Sequence, residues 1–138
     1  MNMFKFLFVT LLWGMAGLLH AASNNPTVTL SPLNVTVSEG TSDVTVTFTL
    51  SISEAPTQKD VIINYATVNG TAVSPTNFTA TSGAITFVKN TAPVNKTFSV
   101  VVKTDAVISL NVSFGVHLTN ATNAAQDVTL QNTDAAIT

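Results

Sequence analysis

The sequence predicts an all-β protein, an antiparallel sandwich of about seven strands in two packed sheets. Apolar and hydroxyl-bearing residues alternate with a period of two along most of the chain, as in Val44–Ile52, which is typical of half-buried strands. Valine and threonine, whose branched Cβ suits a pleated surface, dominate these segments. Turn signals such as Glu39-Gly40, Asn69-Gly70 and Ser82-Gly83 lie between these segments. The strand signals follow one another at roughly ten-residue intervals, which is the spacing of a sandwich.

Each strand is expected where alternating apolar residues are found. The predicted strands cover residues 35–37, 44–52, 61–68, 85–87, 98–102, 112–118 and 128–130. Residues 24–27 are expected to form a short lead-in, because Pro26 disfavours an inner strand position. No segment has a helical period with capping residues.

The N-terminal segment is predicted to be a secretory signal peptide, residues 1–22. Lys5 precedes a fourteen-residue apolar run that ends at Leu19, and small residues follow it, which is the order of a cleavable signal. The run is shorter than the ~20 residues that a spanning helix needs. An uncleaved N-terminal anchor is the alternative, and it would be the chain's only contact with a membrane. Residues 23–138 then form one domain, and the protein is expected to be secreted, at the cell surface or periplasmic.

The composition excludes several classes of function. Only 9% of the 138 residues are charged, the net charge is −2, and there is no arginine, so a nucleic-acid partner is not expected. The absence of cysteine excludes disulfide scaffolds and thiol chemistry. Of the two histidines, His20 lies in the predicted signal peptide and His117 lies on the polar face of a predicted strand, and no nucleophile elbow or phosphate loop accompanies it. No catalytic residue is therefore predicted, and the protein is not expected to be an enzyme.

A set of motifs in the middle of the chain is more specific than a generic sandwich. The chain has Val37-Ser38-Glu39-Gly40, then Tyr65-Ala66-Thr67-Val68-Asn69-Gly70-Thr71-Ala72, Ser82-Gly83 before Phe87, and a late strand with Phe114, Val116 and Leu118. In order and spacing this resembles the Calx-beta domain, over about residues 28–134. The resemblance implies an immunoglobulin-like β-sandwich, found in exchangers and adhesins, and in many members a Ca²⁺ site at one end.

The family's ligand positions can be compared with this chain one by one. The resemblance implies metal ligands at Glu39, Asn77, Asp105 and Asp134. Asn77 stands where the family has an aspartate, and Ser109 and Val112 replace two glutamates. Three carboxylates remain, which would hold Ca²⁺ only in the millimolar class. Alternatively these acids are ordinary loop residues that bind no metal.

The resulting hypothesis is an exported, noncatalytic Calx-beta-like module with a structural or adhesive role and weak or lost Ca²⁺ binding. One alternative is a genuine calcium-binding module of a larger protein of cell adhesion or cell communication. Another is a subunit that self-assembles into a surface fibre through strand edges, because long uncharged strands are poorly protected against edge pairing. The expected partners are other β-sandwich domains, cell-surface proteins, or further copies of this chain.

Overall fold

The computed structural model describes residues 25–38, 40–104, 111–120 and 128–138 of the chain. Within these ranges it contains nine β-strands and no helix. In chain order the strands are β1 (Thr27–Ser31), β2 (Asn34–Val35), β3 (Val44–Ile52), β4 (Val61–Val68), β5 (Ser82–Phe87), β6 (Lys96–Val102), β7 (Phe114–Asn120), β8 (Thr129–Gln131) and β9 (Asp134–Ile137).

The strands form two sheets, as the alternating pattern predicts. One sheet has the order β6-β3-β1-β8, and the other has the order β2-β9-β7-β4-β5. Five of the strand pairs are antiparallel, whereas β1–β8 and β2–β9 are parallel. The all-β sandwich predicted from the sequence is confirmed.

The two parallel pairs have a common origin in the path of the chain. The N-terminal segment leaves the first sheet after β1 and enters the second as β2, and the C-terminal segment does the same with β8 and β9. Thr27 is opposite Thr129 in the first sheet, and Asn34 is opposite Ala136 in the second. The two segments therefore run side by side in one register across both sheets.

Two short segments differ from the expectation. β1 begins directly after Pro26 and lies between β3 and β8, so the expected lead-in opens an inner strand. The proline does not interrupt the ladder, because it precedes the first paired residue and its carbonyl accepts a bond from Thr129 N–H at 3.1 Å. β9 has no counterpart among the predicted strands, since four residues contain too few alternations to mark it.

The core lies between the sheets and follows the period of two. In β3, Val46, Phe48, Leu50 and Ile52 are buried, while the alternate residues are exposed (Thr45, Thr47) or half-buried (Thr49, Ser51). The fully buried side chains include Leu30, Phe48, Leu50, Val100 from the first sheet and Ile63, Val116, Leu118, Ile137 from the second. Tyr65 stacks on Phe98 with ring centroids 4.0 Å apart, which adds to the contact between the sheets.

The predicted signal peptide, residues 1–22, lies outside the described residues. In the ranges that are described, no helix is long and apolar enough to span a bilayer.

Candidate functional site

A groove opens at the end of the sandwich where β3 begins and β6 ends. It encloses a cavity of about 310 Å³. Its wall combines apolar residues of the sheet ends with polar loop residues, among them Ser38, Ala72, Asn77, Thr104, Phe114 and Thr138. This is the end of the fold to which the sequence assigns the carboxylate and amide ligands, so each of them can be compared with it.

Asn77 lines this groove, in the connection between β4 and β5. Its Oδ1 accepts a hydrogen bond from the Val73 N–H at 3.0 Å, and its own N–H donates to the Val73 carbonyl at 2.9 Å. Its carbonyl accepts a bond from the Lys103 N–H at 2.9 Å, beside the bridge that joins Phe78 to Val102. The Asn77 amide oxygen therefore already closes a local turn, which leaves it one lone pair for any further partner.

Glu39 and Asp105, two of the predicted ligands, lie outside the described residues. Their described chain neighbours Ser38 and Thr104 both line the groove.

Asp134, the fourth predicted ligand, has a partner of its own in the middle of a sheet. It begins β9 directly opposite His117 of β7, and its Oδ1 lies 2.6 Å from His117 Nδ1. Thr133 Oγ1 donates to the other carboxylate oxygen at 2.8 Å. The hydrogen bond with His117, and then that with Thr133, lower the pKa of Asp134 below its ordinary value of 3.8.

The position of Asp134 along its strand separates it from the groove. The groove is lined by Ile137 and Thr138 at the other end of β9. Ile137 is three residues further along the strand than Asp134, a distance of roughly 10 Å. The structure thus brings Asn77 to the groove and does not bring Asp134 to Asn77.

A carboxylate that the sequence reasoning missed lies beside the groove. Asp43 directly precedes β3, and its Oδ1 accepts hydrogen bonds from Thr104 N–H at 3.1 Å and Thr104 Oγ1 at 3.4 Å. The sequence contained a signal for it, because Asp43 follows Glu39 by four residues and stands one residue before a strand that leads to the same end. Comparison with the family's ligand positions alone did not include it.

The described donors do not by themselves complete a calcium site. Ca²⁺ takes six to eight oxygen ligands at about 2.3–2.6 Å. In the described parts of the chain, no group of three or more histidine, cysteine, aspartate or glutamate side chains is arranged to hold a metal. At this end they include the Asp43 carboxylate, bonded to Thr104, and the neutral amides of Asn77 and Asn111, which line the groove.

Comparison with known proteins agrees with this fold. A family model, the Calx-beta domain, matches residues 22–138, whereas no curated protein matches the sequence. Among solved structures, the apo-form Calx CBD1 domain is similar with a TM-score of 0.63 and 20% identity, over 83% of this chain and 95% of that one. The Calx CBD2 domain gives 0.57 and 15%, over 80% and 83%.

A third solved structure is a longer protein, the calcium binding domain CBD12 of CALX1.1. It is similar with a TM-score of 0.61 and 19% identity, and the match covers 80% of this chain but 42% of that one. At these identities the solved structures establish the sandwich fold, and the family model spans most of the sequence. The chain therefore belongs to the Calx-beta domain family.

Proposed function

We propose that this chain is an exported, noncatalytic Calx-beta module with a structural or adhesive role, whose calcium site is weak or lost. The observation that carries the proposal is the state of the two predicted ligands that the structure describes. Asn77 stands at a family aspartate position and its amide oxygen accepts the Val73 N–H. Asp134 is bonded to His117 and Thr133.

Charge count is the physical reason why these two residues matter. Calcium affinity in oxygen-ligand sites depends on the number of carboxylates and the rigidity of the site. An amide in place of a carboxylate removes one negative charge, and a carboxylate held by a histidine three residues from the groove contributes nothing to it. The described residues would then offer the Asp43 carboxylate for a metal at this end, and the family positions would add Glu39 and Asp105.

A genuine calcium-binding module is the second candidate, and Asp43 is the observation that favours it. Asp43 adds a carboxylate next to Thr104, the chain neighbour of Asp105. One similar solved structure is named a calcium binding domain. With Glu39 and Asp105, this would restore three acids at the groove end.

Calorimetric titration of the purified chain with CaCl₂ distinguishes the two candidates. The proposal predicts a dissociation constant in the millimolar range or no saturable heat. At a calcium concentration equal to that constant, the fold would gain only about 0.4 kcal/mol, so the melting temperature should barely move. Asn77→Asp should restore one negative charge and tighten calcium binding several-fold. This result would locate the calcium site at the groove.

Two further variants make the titration decisive. A micromolar dissociation constant that is lost in Asp105→Asn, and kept in Glu54→Gln, would overturn the proposal in favour of the calcium-binding module. Glu54 is the matched control because it is an exposed acid that follows β3 at the opposite end of the sandwich.

The export part of the proposal has its own test. Mass spectrometry of the chain recovered from a secreting host should show a new N-terminus after Ala21 or Ala22. Recovery of the intact chain in the membrane fraction would instead indicate the uncleaved anchor.

A further inference from the structure

The four edge strands of the two sheets differ in how well they are protected. β2 has two residues and β8 has three, too short to template another strand. β6 begins with Lys96, and its other end is covered by the β4–β5 connection, through the Phe78–Val102 bridge and the bonds from Thr79 N–H to Val101 and from Lys103 N–H to Asn77.

β5 has none of these protections in the described structure. It is six residues long, Ser82 to Phe87, and contains no charge and no proline. It pairs only with β4. Natural sheets usually shorten, charge or cover such an edge, because its unpaired backbone groups can accept another strand.

The register with β4 identifies the backbone groups that face outwards. Thr67 and Thr81 continue the register one position beyond the Ala66–Ser82 pair. Thr67 N–H donates to the Thr81 carbonyl at 2.9 Å and Thr81 N–H donates to Thr67 Oγ1 at 3.0 Å, so the backbone groups of Thr81 point towards β4. Bonding alternates along an antiparallel ladder, and Gly83, Ile85 and Phe87 therefore bond to β4. The N–H and C=O groups of Ser82, Ala84 and Thr86 point away from β4.

We propose that β5 pairs with β5 of a second copy of this chain, antiparallel and about a two-fold axis through Ala84. This proposal is independent of the proposed function of the groove. In that register Ala84 faces Ala84, and Ser82 faces Thr86, so all three outward-facing residues form hydrogen-bonded pairs. Six backbone hydrogen bonds join the copies, and the two five-stranded sheets become one continuous sheet.

The side chains of β5 fit this pairing. Ser82, Ala84 and Thr86 are exposed on the outer face of the sheet, and they are small enough for close approach of an identical strand. On the inner face the half-buried Ile85 of one copy lies opposite Gly83 of the other. The two-fold axis pairs the β5 edge of each copy with that of the other and leaves neither β5 free. The product is therefore a closed dimer and not the fibre considered from the sequence.

Sedimentation velocity over a concentration range tests the proposal on the purified chain. The wild type should shift from monomer to twice the monomer mass. Ala84→Lys and Ala84→Glu should each stay monomeric, because like charges meet at the axis. An equimolar mixture of the two should dimerise again, since only the Ala84–Ala84 register places lysine opposite glutamate. Ala136→Lys, on exposed residue 136 of β9, is the control and should dimerise like the wild type.

Hydrogen exchange of individual amides gives a second readout. With rising concentration, exchange at Ser82, Ala84 and Thr86 should slow at least about tenfold. Exchange at Gly83, Ile85 and Phe87 should not change with concentration, because those amides bond to β4 in the monomer.

Three results would overturn the proposal. One is a wild type that stays monomeric up to roughly millimolar concentration. Another is a dimer that both charged variants retain. The third is a mixture of folded Ala84→Lys and Ala84→Glu chains that remains monomeric while the wild type dimerises, since this excludes the register.

Discussion

His117 and Asp134 face each other across β7 and β9, and their bond is exposed to solvent. The side chain of Asp134 is 70% exposed and that of His117 is 45% exposed. Solvent screens such pairs, so their contribution to stability is small. The pair nevertheless lowers the pKa of Asp134 in the folded protein below its ordinary value of 3.8.

The lowered pKa makes the contribution of Asp134 depend on pH. A carboxyl with a depressed folded-state pKa stabilises the fold at pH above its unfolded value, and this contribution is lost as pH falls through the folded value. Asp134→Asn should therefore lower the melting temperature at neutral pH, and the difference from the wild type should shrink below about pH 4.

Thermal unfolding followed by circular dichroism between about pH 2 and pH 7 measures this difference. Glu54→Gln removes an exposed acid for which the structure gives no such pair, and its melting curve should follow the wild type at neutral pH. A difference between Asp134→Asn and the wild type that stays constant from neutral pH to about pH 2 would contradict the role of the carboxylate.

At the scale of elements, the connection after β4 explains why the Gly70-Thr71-Ala72 motif is specific. Ala72 N–H donates to the Ser113 carbonyl at 2.9 Å, and Ser113 N–H donates to Thr71 Oγ1 at 2.8 Å. Ala72 is itself buried in the core. The motif thus attaches the turn to the segment that enters β7. Thr71 accepts a hydrogen bond from this segment, and Ala72 donates one to it and also packs in the core.

Gly70 allows the turn to pass close to the backbone of Ser113. A Cβ at this position would lie 2.4 Å from the Ser113 carbonyl oxygen, and that carbonyl is held by Ala72. Gly70→Ala should therefore destabilise the fold by about 1–3 kcal/mol, the usual cost of overpacking. Urea unfolding measures this free energy.

Gly40→Ala is the matched control for this prediction. A Cβ at Gly40 meets no atom of the described residues within 4 Å, so the free energy of unfolding of Gly40→Ala should stay within about 0.5 kcal/mol of the wild type. Equal effects of the two substitutions would mean that the Ser113 contact does not constrain the turn.

The elements also show how far the sequence could predict this molecule. Long alternating strands such as β3 were predictable, because burial on one face imposes the period of two on the sequence. β9 was not, since four residues carry too little periodicity. β2 was predicted only in part, as residues 35–37 against the observed Asn34–Val35, because its pairing depends on a distant partner. For the same reason the sequence could not tell that Asp134 begins a strand opposite His117. The place of Asp43 just before β3 could be read from the sequence, whereas its contact with Thr104 depends on the pairing of β3 with β6.

At the scale of the whole molecule, two paired segments cross from one sheet to the other. One contains β1 and β2, and the other contains β8 and β9. β9 lies between β2 and β7, so the second sheet is continuous only while β9 is in place. Ala135 of this strand points into the core and is 4% exposed, whereas Ala136 is exposed. Neighbouring alanines in one strand therefore report on its inner and outer faces.

An aspartate at each position tests whether the whole sandwich unfolds when β9 is destabilised. Ala135→Asp buries an unpaired charge and should cost at least about 3 kcal/mol. Ala136→Asp keeps the charge in water and should cost less than about 1 kcal/mol. Urea unfolding, followed by far-ultraviolet circular dichroism and by the near-ultraviolet signal of Tyr65, measures both.

The position of Tyr65 makes this a test of the whole molecule. Tyr65 is the only tyrosine, it lies on β4, and it stacks on Phe98 of the other sheet. If β9 closes one cooperative unit, the two signals of Ala135→Asp should shift together to lower urea. A Tyr65 transition that stays at the wild-type midpoint while the far-ultraviolet signal shifts would show instead that the terminal segments unfold separately from the rest of the sandwich.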